Sequence, residues 1–119
     1  MPQLFANNAK STLAAAILSG ATSMTVATGD GAKFPAVTAG NYFLATLAAV
    51  TGATETAWEI VSVTARTGDV FTIVRAQEGT TAAGWAISTP VELRLTASTM
   101  TTLVNASVPP QLLYALGVI

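Results

Sequence analysis

Residues 58–75 read WEIVSVTA, RTGD and VFTIVR in succession. The first run alternates in character, so Glu59, Val61 and Val63 share one face of an extended chain. The RTGD segment has a glycine at a position that tolerates the positive φ of a tight turn. The last run then returns as a second alternating strand. The stretch therefore predicts an antiparallel β-hairpin.

The chain before this hairpin predicts a second pair of strands. Residues 23–28 read as a strand with Met24 and Val26 facing inward. Residues 9–18 fit a helix by propensity and a strand by alternation. Residues 19–22 between the two runs are typical of a turn, so the two runs together predict a hairpin. This favours the strand over the helix for residues 9–18.

Two further runs complete the predicted sheet. Residues 41–50 form an apolar run bounded by glycines. Residues 91–95 alternate, with Val91, Leu93 and Leu95 expected to face inward. Short strands separated by turn signals predict a mainly β fold, a single compact antiparallel β-sandwich or barrel-like domain.

The remaining residues predict a loop anchor, a short helix and two terminal segments. Phe34 is expected to anchor the loop of residues 29–35 in the core. Residues 97–105 predict a helix with Met100, Leu103 and Val104 along one side. The predicted organisation is an N-terminal arm (1–8), a β domain (9–107) and an apolar C-terminal tail (108–119).

The composition limits the possible function. Hydrophobic residues make up 51% of the chain and charged residues only 9%, against ~25% charged in average soluble proteins. Such a surface is typical of a subunit that neighbours cover, although an unusually neutral monomer fits as well. The net charge is −1 with five scattered basic residues, which argues against a nucleic-acid partner.

The sequence contains no segment long enough to span a membrane and few residues that could catalyse a reaction or bind a metal. The first residues lack the pattern of a signal peptide. The apolar run of residues 42–50 is far shorter than the ~20 residues that span a bilayer. Because Cys and His are both absent, disulfides, thiolate metal sites and histidine bases are excluded. We expect the protein to need no cofactor and to stay in the cytoplasm of the cell that makes it until it is assembled.

Catalytic candidates are few, and each has a simpler interpretation. Glu55 with Glu59, or Glu59 with Glu78, would supply the two carboxylates of a glycosidase. Solvated glutamates, or pairs with Arg66 or Arg75, explain them better, since no cluster of sugar-binding aromatic residues accompanies them. A Ser or Thr nucleophile would have only lysines as its base. Asp30, between two glycines, reads as a turn residue rather than a calcium ligand.

The large apolar side chains give the candidate subunit interface. Trp58 and Trp85 are expected mainly to pack in the core, with an interface contact as the alternative for each. The uncharged tail after Pro109-Pro110 is expected to contact another subunit. The predicted interface residues are Leu112, Leu113, Tyr114, Leu116, Phe5 and Trp85.

Several motifs together resemble a small β module of tailed-bacteriophage virion proteins, found in the N-terminal region of tail fibres. They are FANNA (5–9), TVATGDGA (25–32), VTARTGD (63–69), VRAQEGTTA (74–82) and VELRLTA (91–97). The resemblance covers roughly residues 5–105. One departure is Ala76, where a glycine is expected before Gln-Glu-Gly-Thr.

The resemblance implies a structural, non-enzymatic virion component. The module is followed by only a short segment, so we expect a tail or tail-fibre attachment (adaptor) protein. Its partners would be other virion proteins and copies of itself, three if it follows the trimeric fibres, with no nucleic acid and no membrane. A capsid decoration protein on the head surface is the alternative, and a host-carbohydrate-binding module is an alternative of another class.

Overall fold

The computed structural model of the chain describes residues 2–107. Over these residues the fold is mainly β, with six strands and one α-helix. In chain order the elements are β1 (Lys10–Thr12), β2 (Ser23–Thr25), a 3-10 helix (Asp30–Lys33), β3 (Phe43–Thr51), β4 (Thr54–Thr67), β5 (Val70–Gln77), β6 (Pro90–Glu92) and α1 (Ala97–Ser107). The predicted apolar tail lies outside the described residues.

The six strands form one antiparallel sheet in the order β1-β6-β3-β4-β5-β2. The sheet curls until its two edge strands meet, just beyond the ends of β1 and β2. There Leu13 forms an antiparallel bridge with Val26. On either side of it, the Ala14 N–H donates to the Thr25 carbonyl at 2.8 Å, and the Ala27 N–H to the Thr12 carbonyl at 2.9 Å. Of the two predicted architectures, the barrel-like one is confirmed.

The hydrophobic core fills the inside of this curled sheet. Strand β3 contributes Phe43, Ala45 and Leu47, because a strand points alternate side chains to the same face. Phe34, from the loop before β3, packs against the rings of both Phe43 and Phe71, at centroid distances of 5.7 and 5.1 Å, and those two rings are 5.6 Å apart. The predicted inward side chains that are buried here are Met24, Val26, Phe34 and Val91, and Val61 and Val63 of β4 are buried with them.

The hairpin of residues 58–75 is confirmed as the centre of β4 and β5, with Gly68 in its turn at φ +60°. The helix prediction is confirmed by α1. The described helices include none with the length and apolar character to cross a bilayer.

Three local predictions are wrong. Residues 9–18 form a strand only at β1, followed by single bridges at Leu13 and Ile17. The strand expected over residues 91–95 ends at Glu92, so Leu95 is 53% exposed rather than inward. Trp58 is half exposed on the outer face of β4, whereas packing in the core was expected.

Two of the quoted motifs meet in space. The Asp69 carboxylate, in the β4–β5 turn, accepts the backbone N–H of Gly31 at 2.8 Å and that of Gly29 at 3.1 Å. A Cβ on Gly31 would lie 2.0 Å from the Gly68 carbonyl oxygen, so only glycine fits. The glycine and aspartate residues of these two motifs thus have a local structural role, which is the docking of the 3-10 helix against the β4–β5 turn.

Candidate interaction surface

The carboxylate of Glu59, whose side chain is fully buried on β4, accepts five hydrogen bonds. Its Oε1 accepts from Arg75 Nη2 and Trp85 Nε1, both at 2.8 Å, and from the Ala83 N–H at 3.1 Å. Its Oε2 accepts from Arg75 Nε at 2.8 Å and from the Ala76 N–H at 3.1 Å. We call these residues the Glu59 cluster.

The remaining N–H groups of Arg75 donate hydrogen bonds to backbone carbonyls. Nη1 donates to Leu18 at 2.6 Å and to Ala21 at 3.3 Å, and Nη2 also donates to Ala83 at 2.6 Å. The guanidinium therefore joins the turn before β2 to the loop after β5. Because all five N–H donors of Arg75 have acceptors, this side chain fixes loop geometry.

The Glu59 carboxylate is held ionised by this cluster. Burial alone would raise its pKa, but the hydrogen bonds from Arg75, Trp85 and the two backbone amides outweigh it and lower the pKa to about 2. A buried carboxylate with such a low pKa is a poor general acid at neutral pH. The contacts of Glu59 join β4 to β5 and to the loop after β5, which is a structural role.

A second polar cluster lies on the outer face of β4, around Trp58. The Trp58 indole Nε1 donates to Glu55 Oε1 at 2.6 Å, and Arg94 binds both oxygens of Glu55, at 3.0 and 2.5 Å. These bonds, from Arg94 first and Trp58 second, lower the pKa of Glu55 to about 2. The hydrogen bond to Glu55 fixes one edge of the indole, while Trp58 as a whole stays 50% exposed. The indole therefore presents a fixed apolar face to the solvent.

One groove lies between α1, the N-terminal residues and the outer face of the sheet. This helix groove encloses about 510 Å³. Phe5 and Leu103 line it and are nearly half exposed, while Leu44 forms part of its floor. Its lining also includes Glu78 and the Thr99 hydroxyl, which donates to Gln3 at 3.2 Å. The helix groove therefore mixes apolar and polar character.

A second groove, the alanine groove, lies between the β3–β4 hairpin and the loop of residues 83–90. It encloses about 600 Å³. No charged side chain is among its lining residues, which include Ala48, Ala49, Val50, Ala57, Ala86 and Ile87. Val50 is 47% exposed and Ile87 is 61% exposed. An open concave surface of this composition suits an apolar protein segment.

The predicted interface residues fall in different places. Phe5 lines the helix groove and offers an exposed ring. Trp85 lines the alanine groove but is only 7% exposed, and its indole N–H is bound to Glu59, so most of its ring belongs to the core. Leu112, Leu113, Tyr114 and Leu116 lie outside the described residues, and their contact stays a prediction.

Sequence reasoning missed two features of this surface. It treated the pairing of Glu59 with Arg75 as an exposed one, although the alternation placed Glu59 on the same face as the apolar Val61 and Val63. A carboxylate in that register was the signal for a buried partner. It also missed the alanine groove, because small residues from β3, β4 and a later loop come together only in the folded sheet.

No protein-family profile and no curated protein sequence matches this chain. The described residues also contain no group of carboxylates arranged to hold a metal ion. The interpretation of this surface therefore depends on its own geometry and on the quoted motifs.

Proposed function

We propose that this chain is a non-enzymatic structural component of a bacteriophage virion, a tail or tail-fibre attachment protein that assembles as an oligomer. The motifs that resemble the phage module supply the biological setting. The exposed apolar surface supplies the physical reason for assembly.

The observation that carries the proposal is apolar surface in a chain with very little charge. Phe5, Val50, Trp58, Ile87 and Leu103 are each 46% exposed or more. Charged residues are only 9% of the chain, and several of them neutralise one another. Large apolar side chains exposed in this number are typical of protein-protein contacts.

The ion pairs add to this neutrality. Arg75 pairs with Glu59, Arg94 pairs with Glu55 and Glu92, and Lys33 pairs with Asp30. Such pairs leave few free charges to keep separate copies apart. The surface is therefore suited to permanent coverage by neighbouring subunits.

Immunogold electron microscopy of the intact particle tests this proposal. An antibody against the chain is expected to label the tail or the junction where fibres attach. Label spread over the head would support the alternative, a capsid decoration protein. The absence of label on purified particles, with the chain detected in the infected cell, would overturn the virion assignment.

The exposed Trp58 favours one second candidate, a host-carbohydrate-binding module. An exposed indole ring beside fixed polar groups can stack on a sugar ring, and Glu55 and Arg94 hold this one in place. Saturable binding to host surface polysaccharide that is lost in Trp58→Ala would support it. Val74→Ala is the matched control, since Val74 is equally exposed (49%) on β5.

A further inference from the structure

Glu78 differs from the other carboxylates of the chain in its partners. The six acidic side chains all lie within the described residues. Those that pair with a lysine or an arginine are Asp30, Glu55, Glu59 and Glu92. Asp69 accepts two backbone N–H groups. The Glu78 carboxylate accepts only one hydrogen bond within residues 2–107, from the Thr96 hydroxyl at 2.8 Å. No cation of the described chain therefore balances its charge.

The backbone at Glu78 is held in an unfavourable conformation. Its φ is +52°, in the left-handed region that a Cβ disfavours. Glycine or asparagine adopts this conformation more readily than glutamate does. Residues held in such regions cluster at active and ligand-binding sites. The fold thus keeps a carboxylate at this place despite the strain, which indicates a use for its charge.

Glu78 lines the helix groove together with apolar and aromatic side chains. The volume of about 510 Å³ is in the range of roughly 300–1,000 Å³ that is usual for ligand sites. Phe5 and Leu103 are nearly half exposed in this groove. Its described lining includes no lysine and no arginine. The helix groove therefore combines an unbalanced negative charge with exposed apolar surface.

The polar side of the helix groove is connected by hydrogen bonds before any ligand binds. The Thr96 hydroxyl, which donates to Glu78, lies 2.9 Å from the Thr99 hydroxyl. Thr99 donates to Gln3 Oε1 at 3.2 Å, and the Tyr42 hydroxyl donates to the same oxygen at 3.4 Å. These contacts join Glu78 to α1, to the N-terminal residues and to the residue before β3. Because the polar groups are already in place, a ligand loses less of its affinity to their ordering.

A cation with an apolar stem fits this groove best. An anion would meet the Glu78 carboxylate without a basic side chain to balance it. A guanidinium is favoured over an ammonium, because its planar group binds a carboxylate through two N–H groups and stacks on an aromatic ring such as Phe5. The methylene stem of an arginine would cover apolar surface such as Leu103. The groove chemistry therefore selects an arginine side chain.

A second copy of this chain does not supply that arginine. The sequence has three arginines, all within the described residues. Arg75 and Arg94 form ion pairs with glutamates of their own chain. Arg66 donates to two backbone carbonyls. Because each of them is already engaged, the arginine belongs to a different protein.

We propose that the helix groove binds an arginine side chain of a neighbouring virion protein. The guanidinium pairs with the Glu78 carboxylate and stacks on the ring of Phe5. This inference rests on the proposed function, because that function supplies the neighbour, and it names the chemistry by which an attachment protein holds its partner.

Titration of the isotope-labelled full chain with Nα-acetyl-arginine amide, followed by NMR, tests the site. Nα-acetyl-citrulline amide is the matched control ligand, since it has nearly the same shape without the charge. We expect arginine amide to shift the backbone amide signals of groove residues such as Thr99 and Leu103. Its Kd should be about tenfold lower than that of citrulline amide, as expected for a hydrogen bond between charged groups. Equal affinities, no saturable shifts, or shifts confined to other surfaces would overturn the proposal.

Charge-removing variants locate the binding on the chain. Glu78→Gln keeps an oxygen that accepts from Thr96, so the fold should persist, and circular dichroism checks this. The variant is expected to raise the Kd of arginine amide about tenfold. Glu92→Gln is the matched control, because Glu92 is already paired with Arg94, and it should leave the Kd unchanged. If both variants weaken binding equally, the ligand responds to net charge alone and the groove assignment is wrong.

A third ligand and the particle experiment complete the test. If Nα-acetyl-lysine amide binds as tightly as arginine amide, the choice of a guanidinium is wrong. The immunogold labelling is independent of these titrations, so the two failures are distinguishable. Label on the tail without arginine binding would overturn the groove site and leave the structural function standing. Selective arginine binding by a chain that is absent from the particles would support the site and contradict its virion partner.

Discussion

Replacement of Ala76 by glycine is expected to stabilise the protein. Ala76 has φ +54°, in the left-handed region that a Cβ disfavours. That conformation costs an L-residue roughly 1–2 kcal/mol. Its N–H donates to Glu59 at 3.1 Å, so the backbone cannot relax without loss of this partly buried hydrogen bond. The strain is held in place by the Glu59 cluster.

The net effect follows from two opposing contributions. Glycine removes the roughly 1–2 kcal/mol of strain, but it makes the unfolded chain more flexible, at a cost of about 0.4–1 kcal/mol. The Ala76 side chain is exposed, so its removal costs little packing. We expect Ala76→Gly to raise the free energy of unfolding by about 0.5–1 kcal/mol, which for a domain of this size raises Tm by roughly 2–4 °C.

Urea denaturation followed by tryptophan fluorescence measures this change, and Ala65→Gly is the matched control. Ala65 is an exposed alanine within β4 and does not have positive φ. The same chemical change should lower the stability there by about 0.5–1 kcal/mol. If Ala76→Gly destabilises the protein as Ala65→Gly does, the strain argument is refuted.

Two further predictions concern the turns and the buried carboxylate. Gly31→Ala is expected to lower the free energy of unfolding by more than about 2 kcal/mol, in the upper part of the usual range for point mutations, because its Cβ would lie 2.0 Å from the Gly68 carbonyl oxygen. Gly29→Ala has open space around its Cβ but a φ of +87°, so it should lower that free energy by only about 1–2 kcal/mol. Equal losses of stability in urea denaturation would contradict this prediction. The Glu59 pKa is lowered from 4.5 to about 2 on folding, so its stabilising effect is present above pH 4.5 and is lost as the pH falls towards 2. Glu59→Gln should lower the free energy of unfolding at pH 7 by about 3–5 kcal/mol, as expected for a buried ion pair that loses one partner. Between pH 4.5 and 2 the variant should lose less stability than the wild type, because it has no carboxylate to protonate at this position. Parallel stability profiles of the two proteins over this pH range would refute the lowered pKa of Glu59.

The sequence was sufficient to predict the centre of the fold. Alternation in residues 58–75 identified the β4–β5 hairpin and grouped Glu59, Val61 and Val63 on one face, because a half-buried strand imposes a period of two on its side chains. Pattern alone was not sufficient at the edges. Strands β1 and β6 have three residues each, and a period of two cannot be read reliably from so short a run.

The candidate surface was less predictable than the fold. The partners of Glu59 come from positions 16 to 26 residues farther along the chain, and their meeting depends on how the loop after β5 folds back. Trp58 was misplaced for a related reason. Its size favoured the core, but Trp58 lies on the opposite face of β4 from the buried Val61 and Val63. Its position along the strand therefore places it on the outer face, whatever its size.

The backbone at Ala76 also bears on one departure from the module that the sequence resembles. The left-handed φ of Ala76 is the conformation that glycine adopts without strain, and glycine is the residue that the resemblance led us to expect there. The fold holds an alanine in this conformation at a cost in stability.

The meeting of the two edge strands at Leu13 and Val26 affects how this chain behaves before it finds its neighbours. Open edge strands attract one another and lead to fibrillar aggregation, and many β proteins prevent this with lysines along the edge. This chain has only two lysines, of which Lys10 is the first residue of the edge strand β1. Pairing the edges with each other at Leu13 and Val26 occupies backbone groups that another copy could otherwise bind, and we expect this to lower the tendency of separate copies to stack edge to edge.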